Sequence, residues 1–231
     1  MSKRFRVLAV LMVIVVVVCG AVPAFSAAKR KGRKKAQAAG GDAQFQATLN
    51  QARQGNSKAQ YTIGNMYYNG YKVKKNYAEA VKWYKQAAEK GHVQAQMSLG
   101  SAYMYGTGVN KDYVEARKWL QMSAEKGNVV AQSRLGDLYY EGWYDTYIYD
   151  KLGRAHKVKA GFVPSYVHAI MWWQRAAGQG YADAQYKIGN MYYRGEEVEQ
   201  SYSEAMYWWR KAAKQGHTDA QKKLRDLGVT W

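Results

Sequence analysis

Cysteine is almost absent from this chain: Cys19 is the only one among 231 residues. No intramolecular disulfide can form, so the fold has to hold by packing alone. An oxidising compartment is permitted without being required. Only two prolines interrupt the chain, which leaves long stretches free to be helical. Histidine is scarce too: His92, His156, His168 and His217 include no pair at i, i+4 that could share a metal. Glycine-rich phosphate loops, nucleophile elbows and zinc signatures are missing. The sequence therefore nominates no catalytic residue, no cofactor-binding residue and no metal ligand, and the expectation is a non-enzymatic protein.

Acidic residues are missing from residues 1–35, which hold nine lysines and arginines; this stretch supplies half of the formal charge of +18. Lys3, Arg4 and Arg6 precede an apolar run over 7–22, followed by Ala24, Ser26, Ala27 and Ala28. That order of charge, apolar run and small residues is that of a secretory signal peptide over 1–28. At about 1.5 Å per residue the run covers roughly 24 Å, short of a hydrocarbon core of about 30 Å. An uncleaved anchor in the inner membrane is the alternative, because Lys29, Arg30, Lys31, Arg33, Lys34 and Lys35 oppose translocation. Cys19 directly follows Val16, Val17 and Val18, not the small residue a lipoprotein signal would want. Residues 29–42, rich in Lys, Ala, Gly and Gln, read as a disordered basic linker. Export is expected, to the bacterial periplasm or an equivalent compartment.

What the chain does contain is a repeat. Trp83, Trp119, Trp172 and Trp208 fall 36, 53 and 36 residues apart, and Gly55, Gly91, Gly127, Gly180 and Gly216 keep the same step. One copy thus carries a 17-residue insertion. A period of this size marks a solenoid, whose units bury their apolar faces only against neighbours. In the second copy Ala95, Leu99 and Tyr103 lie at i, i+4 and i+8, and Tyr113, Ala116, Trp119, Ser123 and Ala124 follow at helical spacing. The fold class expected is all-α: a right-handed α/α superhelix of four helix-turn-helix repeats over 43–228. The repeats occupy about 55–90, 91–126, 127–179 and 180–215. Phe45, Leu49 and Ala52 mark an N-terminal capping helix, and 216–228 a C-terminal one in which Ala220 and Leu224 keep the register of Ala184 and Ile188.

Local signals agree. Asn76, Asp112, Ser165 and Ser201 stand where the second helix of each copy needs an N-cap. Glu79, Glu115, His168 and Glu204 follow three residues later, and the three Glu pairs predict capping boxes. His92 and His217 follow a repeat glycine, as Asn56 and Asn128 do, and read as helix-starting residues rather than ligands. Gly64, Gly100, Gly136 and Gly189 sit inside helices, where glycine costs about 1 kcal/mol relative to alanine. They imply close helix approach, with side chains of the Trp83 and Tyr67 type filling the space on either side.

The residues Ala95, Leu99, Gly100, Tyr103, Gly106, Gly108, Val109, Asp112, Tyr113, Ala116, Trp119 and Ala124, repeated in register, resemble the Sel-one-like repeat, a relative of the tetratricopeptide repeat. The resemblance covers about 55–216. It implies an adaptor, in bacterial secretion, envelope, virulence or signalling settings or in eukaryotic quality control. Some secreted relatives carry a disulfide in each repeat; those cysteines are missing here. Lys72 and Glu197 replace the second loop glycine found as Gly108 and Gly161, a change expected to alter loop shape.

Once the core positions are removed, a stripe remains on the first helix of each copy: Tyr61, Asn65 and Tyr68; Met97, Ser101 and Met104; Ser133, Asp137 and Tyr140; Tyr186, Asn190 and Tyr193. The resemblance places first helices on a concave surface, which would make this stripe a groove for a protein or peptide. Packing between neighbouring repeats is the competing reading. The insertion over 143–160 is rich in aromatic and then basic residues; an extended hairpin is expected, with Trp143, Tyr147 and Tyr149 contacting a partner, against the reading of a plain loop or brace. A second function class is electrostatic binding of an anionic membrane or wall polymer by the basic arm with Arg154, Lys157 and Lys159. Export argues against nucleic acid.

Overall fold

The computed structural model describes residues 43–142, 147–149, 155–157 and 164–231, with backbone alone for the two three-residue stretches. The expected signal peptide and linker lie outside these residues, as do Trp143, Arg154, Lys159 and Gly161 and the side chains of Tyr147, Tyr149 and Lys157. The chain divides into two compact units, Met1–Asn50 and Gln51–Trp231. Of the first, residues 43–50 are described and are helical, and the helix, α1, runs on to residue 53.

The second unit is an α/α solenoid. Its helices are α2 (Ser57–Asn69), α3 (Tyr77–Glu89), α4 (Val93–Tyr105), α5 (Tyr113–Glu125), α6 (Val129–Glu141), α7 (Tyr166–Gly178), α8 (Ala182–Arg194), α9 (Tyr202–Lys214) and α10 (Thr218–Asp226). Each packs on the next in sequence, and α4 also touches α6, so first helices of neighbouring repeats lie side by side. Within the insertion β1 (Tyr147–Tyr149) and β2 (Ala155–Lys157) pair antiparallel, Ile148 opposite His156.

Helix starts follow the sequence. Asn56 and Asn128 accept the amides of Ala59 and Ala131 at 3.0 and 2.9 Å. The Nδ1 atoms of His92 and His217 do the same for Ala95 and Ala220 at 3.3 Å, so these histidines are caps. Asn76, Asp112 and Ser201 accept the amides of Glu79, Glu115 and Glu204. Ser165 makes no cap bond; its hydroxyl pairs with His168 instead, 2.7 Å away.

The expected capping boxes do not close. The backbone amides of Asn76, Asp112, Ser165 and Ser201 are already bonded, at 2.8–3.0 Å, to the carbonyls of Tyr67, Tyr103, Tyr139 and Tyr192 on the preceding helix. That bond fixes the angle of the hairpin and leaves the Glu side chains nothing to accept there. Glu79 and Glu115 pair with Lys82 and Lys118 instead, and Glu115 also accepts from Trp119 Nε1 at 2.8 Å.

The glycines inside the first helices do mark close approach, but a different side chain fills the space. A Cβ on Gly64 or Gly189 would lie 2.5 Å from the ring of Tyr84 or Trp209, and one on Gly136 would collide with Trp173. Each filler stands one position after the repeating tryptophan, because the following residue is the one turned toward the hairpin partner. Trp119 and Trp172 instead belong to core clusters shared with the second helix of the previous repeat, Trp119 with Val81 and Tyr84 of α3, Trp172 with Ala116 and Leu120 of α5. The period-setting tryptophans therefore join repeats, and the residues after them close hairpins.

Gly100 tests this packing. A Cβ there would sit 2.7 Å from Leu120 Cγ and 3.0 Å from the Leu120 backbone nitrogen, which cannot retreat. Gly100→Ala is expected to destabilise by about 1–3 kcal/mol, although alanine is the better helix former by about 1 kcal/mol. Thermal unfolding followed by circular dichroism reads the sign, and a rise in midpoint would contradict the packing.

A second set of joints escaped the sequence reading. Gln60, Gln96, Gln132, Gln185 and Gln221 each donate, at 3.0–3.2 Å, to the carbonyl of Ala52, Ala88, Ala124, Ala177 or Ala213 at the end of the preceding helix. Each of these carbonyls also accepts the amide of the repeat glycine three residues on, at 2.9–3.0 Å, so the glutamine supplies a second donor and ties the next helix to that turn. The signal was in plain sight: these glutamines recur with the glycine period.

Lys72 and Glu197 keep left-handed backbones, φ 61° and 54°, close to the 77° of Gly108. The loop thus keeps its backbone conformation instead of changing, at a cost of about 1–2 kcal/mol for each non-glycine residue held there.

Candidate functional site

The first helices carry two grooves. One, about 460 Å³, lies along α2 and α4 and is lined by Asn65, Tyr68, Asn69, Ser101, Tyr105 and Arg134 among others. The other, about 330 Å³, lies along α6 and α8 and includes Asp137, Tyr140, Trp173, Tyr186, Asn190 and Arg194. The expected stripe thus borders real depressions. Its members are not equally free.

The middle position of the stripe locks the hairpin. Tyr84 Oη donates to Asn65 Oδ1 at 2.8 Å, Trp173 Nε1 to Asp137 Oδ1 at 3.0 Å, and Trp209 Nε1 to Asn190 Oδ1 at 3.2 Å. In the second copy Leu120 has no donor, and Ser101 bonds the Met97 carbonyl and receives Arg134. These four residues therefore spend part of their polar capacity inside the fold. Burial, reinforced by neighbouring tyrosines, pushes the Tyr84 hydroxyl well above its ordinary range, which keeps it a neutral donor.

The tyrosines are half engaged. Tyr61 stacks on His92 and Tyr186 on His217, with centroids 4.8 and 4.7 Å apart. Tyr68, Tyr140 and Tyr193 pack edge-on against Tyr77, Tyr166 and Tyr202, the first residues of the second helices. Tyr68 remains 43% exposed. Tyr140 donates to Glu196 at 2.8 Å and accepts from Arg194 at 3.0 Å. Burial, together with that bond to Glu196, pushes its hydroxyl up to about 12. Of the remaining stripe positions, Met104 and Ser133 are buried.

Between the last two repeats the face is ionic. Lys187 reaches Asp137 at 2.8 Å, Asp183 at 2.6 Å and Ser133 Oγ at 3.2 Å. Burial pushes the Asp137 carboxyl above the usual carboxylate range, more than Lys187 pulls it down. Burial acts on Asp183 too, but there Lys187 prevails and the carboxyl lies low. The Lys187 ammonium is disfavoured by burial and rescued by both carboxylates, and sits above its ordinary value.

Two columns of the face were missed. Asn69, Tyr105, Glu141 and Arg194 occupy one equivalent position in the four copies, and Thr62, Ser98, Arg134 and Lys187 another; all but Thr62 line the grooves. Arg134 lies 5.5 Å over the Tyr105 ring and contacts Ser101 and the Met97 sulfur, with no carboxylate partner among the described residues. These columns change chemistry from copy to copy, so a search for recurrence passes over them. No group of three or more His, Cys, Asp or Glu suited to a metal occurs among the described residues.

Stacked helical hairpins with grooves along their first helices define an α/α solenoid repeat protein. The Sel1 repeat family matches residues 57–92, 93–128, 129–147, 158–181 and 182–217, and the chain belongs to that family. Five matches describe four repeats, because the third and fourth are halves of one copy parted by the insertion. Proteins of the family are generally non-enzymatic scaffolds for protein interactions. Among solved structures, c5321, a protective antigen of uropathogenic Escherichia coli, is 30% identical over 79% of this chain with a TM-score of 0.69. A Sel1 repeat protein from Oxalobacter formigenes is 34% identical over 75% of it with a TM-score of 0.63. The aligned regions cover 36% and 65% of those chains, so both relatives extend beyond what this one spans. Among curated proteins none matches.

Proposed function

We propose that the protein is an exported scaffold that holds a protein or peptide partner along its first-helix face, with the insertion over 143–160 adding to the contact. The carrying observation is the pair of grooves, which alternate tyrosines with amide, hydroxyl and guanidinium groups. Tyrosine offers large contact area at low entropy cost, and amides and hydroxyls match a peptide backbone. The sign of the N-terminal charge and the apolar run over 7–22 support export. Among the described residues no helix is long and apolar enough to cross a membrane.

The test is retrieval of partners from an envelope extract by the tagged full chain. Replacing Tyr68 and Tyr105 with alanine, or deleting 143–160, is expected to weaken retention of the same partner about tenfold or more, the loss of roughly 1.4 kcal/mol or more of contact energy. Both variants should keep the helical circular dichroism of the parent. Unchanged partners in both would show that the binding surface lies elsewhere.

A further inference from the structure

Taking the first-helix face as the binding surface proposed above, we infer that Arg134 anchors a carboxylate subsite in the α2–α4 groove. Its ligand is the side chain of an aspartate or glutamate within an extended peptide.

The repeat supplies its own reference. Arg134 and Lys187 occupy the same position in successive copies. Lys187 meets two carboxylates, Asp137 from the preceding repeat at 2.8 Å and Asp183, one turn earlier on its own helix, at 2.6 Å. At the positions equivalent to Asp137 and Asp183, Arg134 finds Ser101 and Val130. A hydroxyl and a valine leave its charge unbalanced. The α6–α8 groove therefore has its cations neutralised already, Lys187 by Asp137 and Arg194 by Glu196 at 3.3 Å. In the α2–α4 groove Arg134 is the only charged residue of the lining.

The guanidinium is positioned without being used up. It is half-buried and lies 5.5 Å over the Tyr105 ring, and Nη1 makes both of its bonds, to Ser101 Oγ and Met97 Sδ. Nε and Nη2 have no hydrogen-bond partner among the described residues. A plane held against an aromatic face keeps the donor fork pre-organised, and that fork matches a carboxylate. Asn69, Ser98 and Thr107 line the same groove and make no side-chain hydrogen bond among the described residues, which leaves them for the peptide backbone.

The charge and its place define the ligand. One guanidinium balances one carboxylate, whereas a phosphoryl group near −2 would stay half neutralised with no second cation in the lining. Helix α6 borders both grooves, with Arg134 in one and Asp137 and Tyr140 in the other. A chain laid along the first helices passes Arg134 midway, so the carboxylate comes from a side chain and not from the end of the peptide.

Selection of peptides by the immobilised full chain provides the test. A display library of random peptides joined to the carrier through their C-termini offers side-chain carboxylates and no terminal one. The parent is expected to enrich aspartate or glutamate at one fixed position about tenfold over the library. Arg134→Glu should enrich lysine or arginine there instead, an inversion that loss of fold cannot produce. In a selected peptide made by synthesis, an amide in place of the acid should weaken binding to the parent about tenfold and leave binding to Arg134→Gln unchanged. Peptides that need Tyr68 and Tyr105 but carry no acid at a fixed position would overturn the subsite and leave the groove as the binding surface. Recovery of no peptide, from this library or from one with free C-termini, would overturn both. An acid preference that survives Arg134→Gln, or binding confined to peptides with a free C-terminus, would overturn the assignment to a side chain held by Arg134.

Discussion

Trp209→Ala is expected to lower the stability of the C-terminal repeat by about 3–5 kcal/mol, the range for removing a large aromatic from a packed core. Trp209 is fully buried, fills the space over Gly189, and packs with Ala205, Ala212, Ala213, Ala220 and Leu224. Its indole also donates to Asn190. In a solenoid each repeat contacts only its neighbours, so the loss should be local: hydrogen exchange should accelerate over 182–226 before the earlier repeats respond. Trp209→Phe, which keeps most of the volume and removes the donor, should cost only about 1 kcal/mol. The pairing with Gly189 makes a sharper test. Alone, Gly189→Ala should destabilise, because its Cβ meets the indole 2.5 Å away. In the Trp209→Ala background the indole is gone and only the Ala205 carbonyl oxygen, 3.1 Å from that Cβ, still crowds it, so the same change should cost clearly less than in the parent, offset by helix propensity of up to about 1 kcal/mol. Additive effects in the double variant would show that the two residues do not face each other.

Lys187→Met should cost about 3 kcal/mol at neutral pH, the lower end of what removing one member of a buried ion pair costs. Methionine replaces the aliphatic stem, so the loss isolates the charge. The effect should depend on pH in a stated direction. Asp183 lies below its ordinary range in the folded protein because Lys187 outweighs its burial. Its contribution is present above the unfolded value of about 3.9 and disappears as pH falls through the folded one. Lys187 itself, raised by the two carboxylates, contributes fully below about 10.4 and loses that contribution as pH rises through its folded value. Asp137, already raised by burial, works the other way and favours acid. Without Lys187 both carboxyls rise together, so folding of the variant is opposed most at neutral pH and least where both are protonated. The difference between parent and variant, read from denaturant midpoints, should therefore shrink between pH 7 and pH 4. A difference constant across that range would assign the role of Lys187 to packing.

Sequence reasoning reached far here because the fold is periodic. The 36-residue step and the helix starts at Asn56, His92 and Asn128 follow from local geometry that recurs, and each recurrence checks the last. The errors have one origin. Trp83-type residues were assigned to the hairpin interior and Glu79, Glu115 and Glu204 to capping boxes, since helical spacing says which residues share a face but not which neighbour that face meets. A turn of about 100° separates consecutive residues on a helix, and it sends Trp172 to the previous repeat and Trp173 to its own hairpin.

By itself the sequence determined the class, the repeat period and most helix starts, because those depend on contacts within a few residues and on a pattern written several times. Tertiary structure decided which polar groups remain for a partner. Asn65, Asp137 and Asn190 looked alike on the stripe, and only the approach of Tyr84, Trp173 and Trp209 from the second helices shows that each is already hydrogen-bonded. The grooves instead gain Tyr105, Arg134 and Arg194, residues that occur once each at their positions. Recurrence reports what the fold needs in every copy; what a single surface offers depends on groups brought together from helices far apart in the chain.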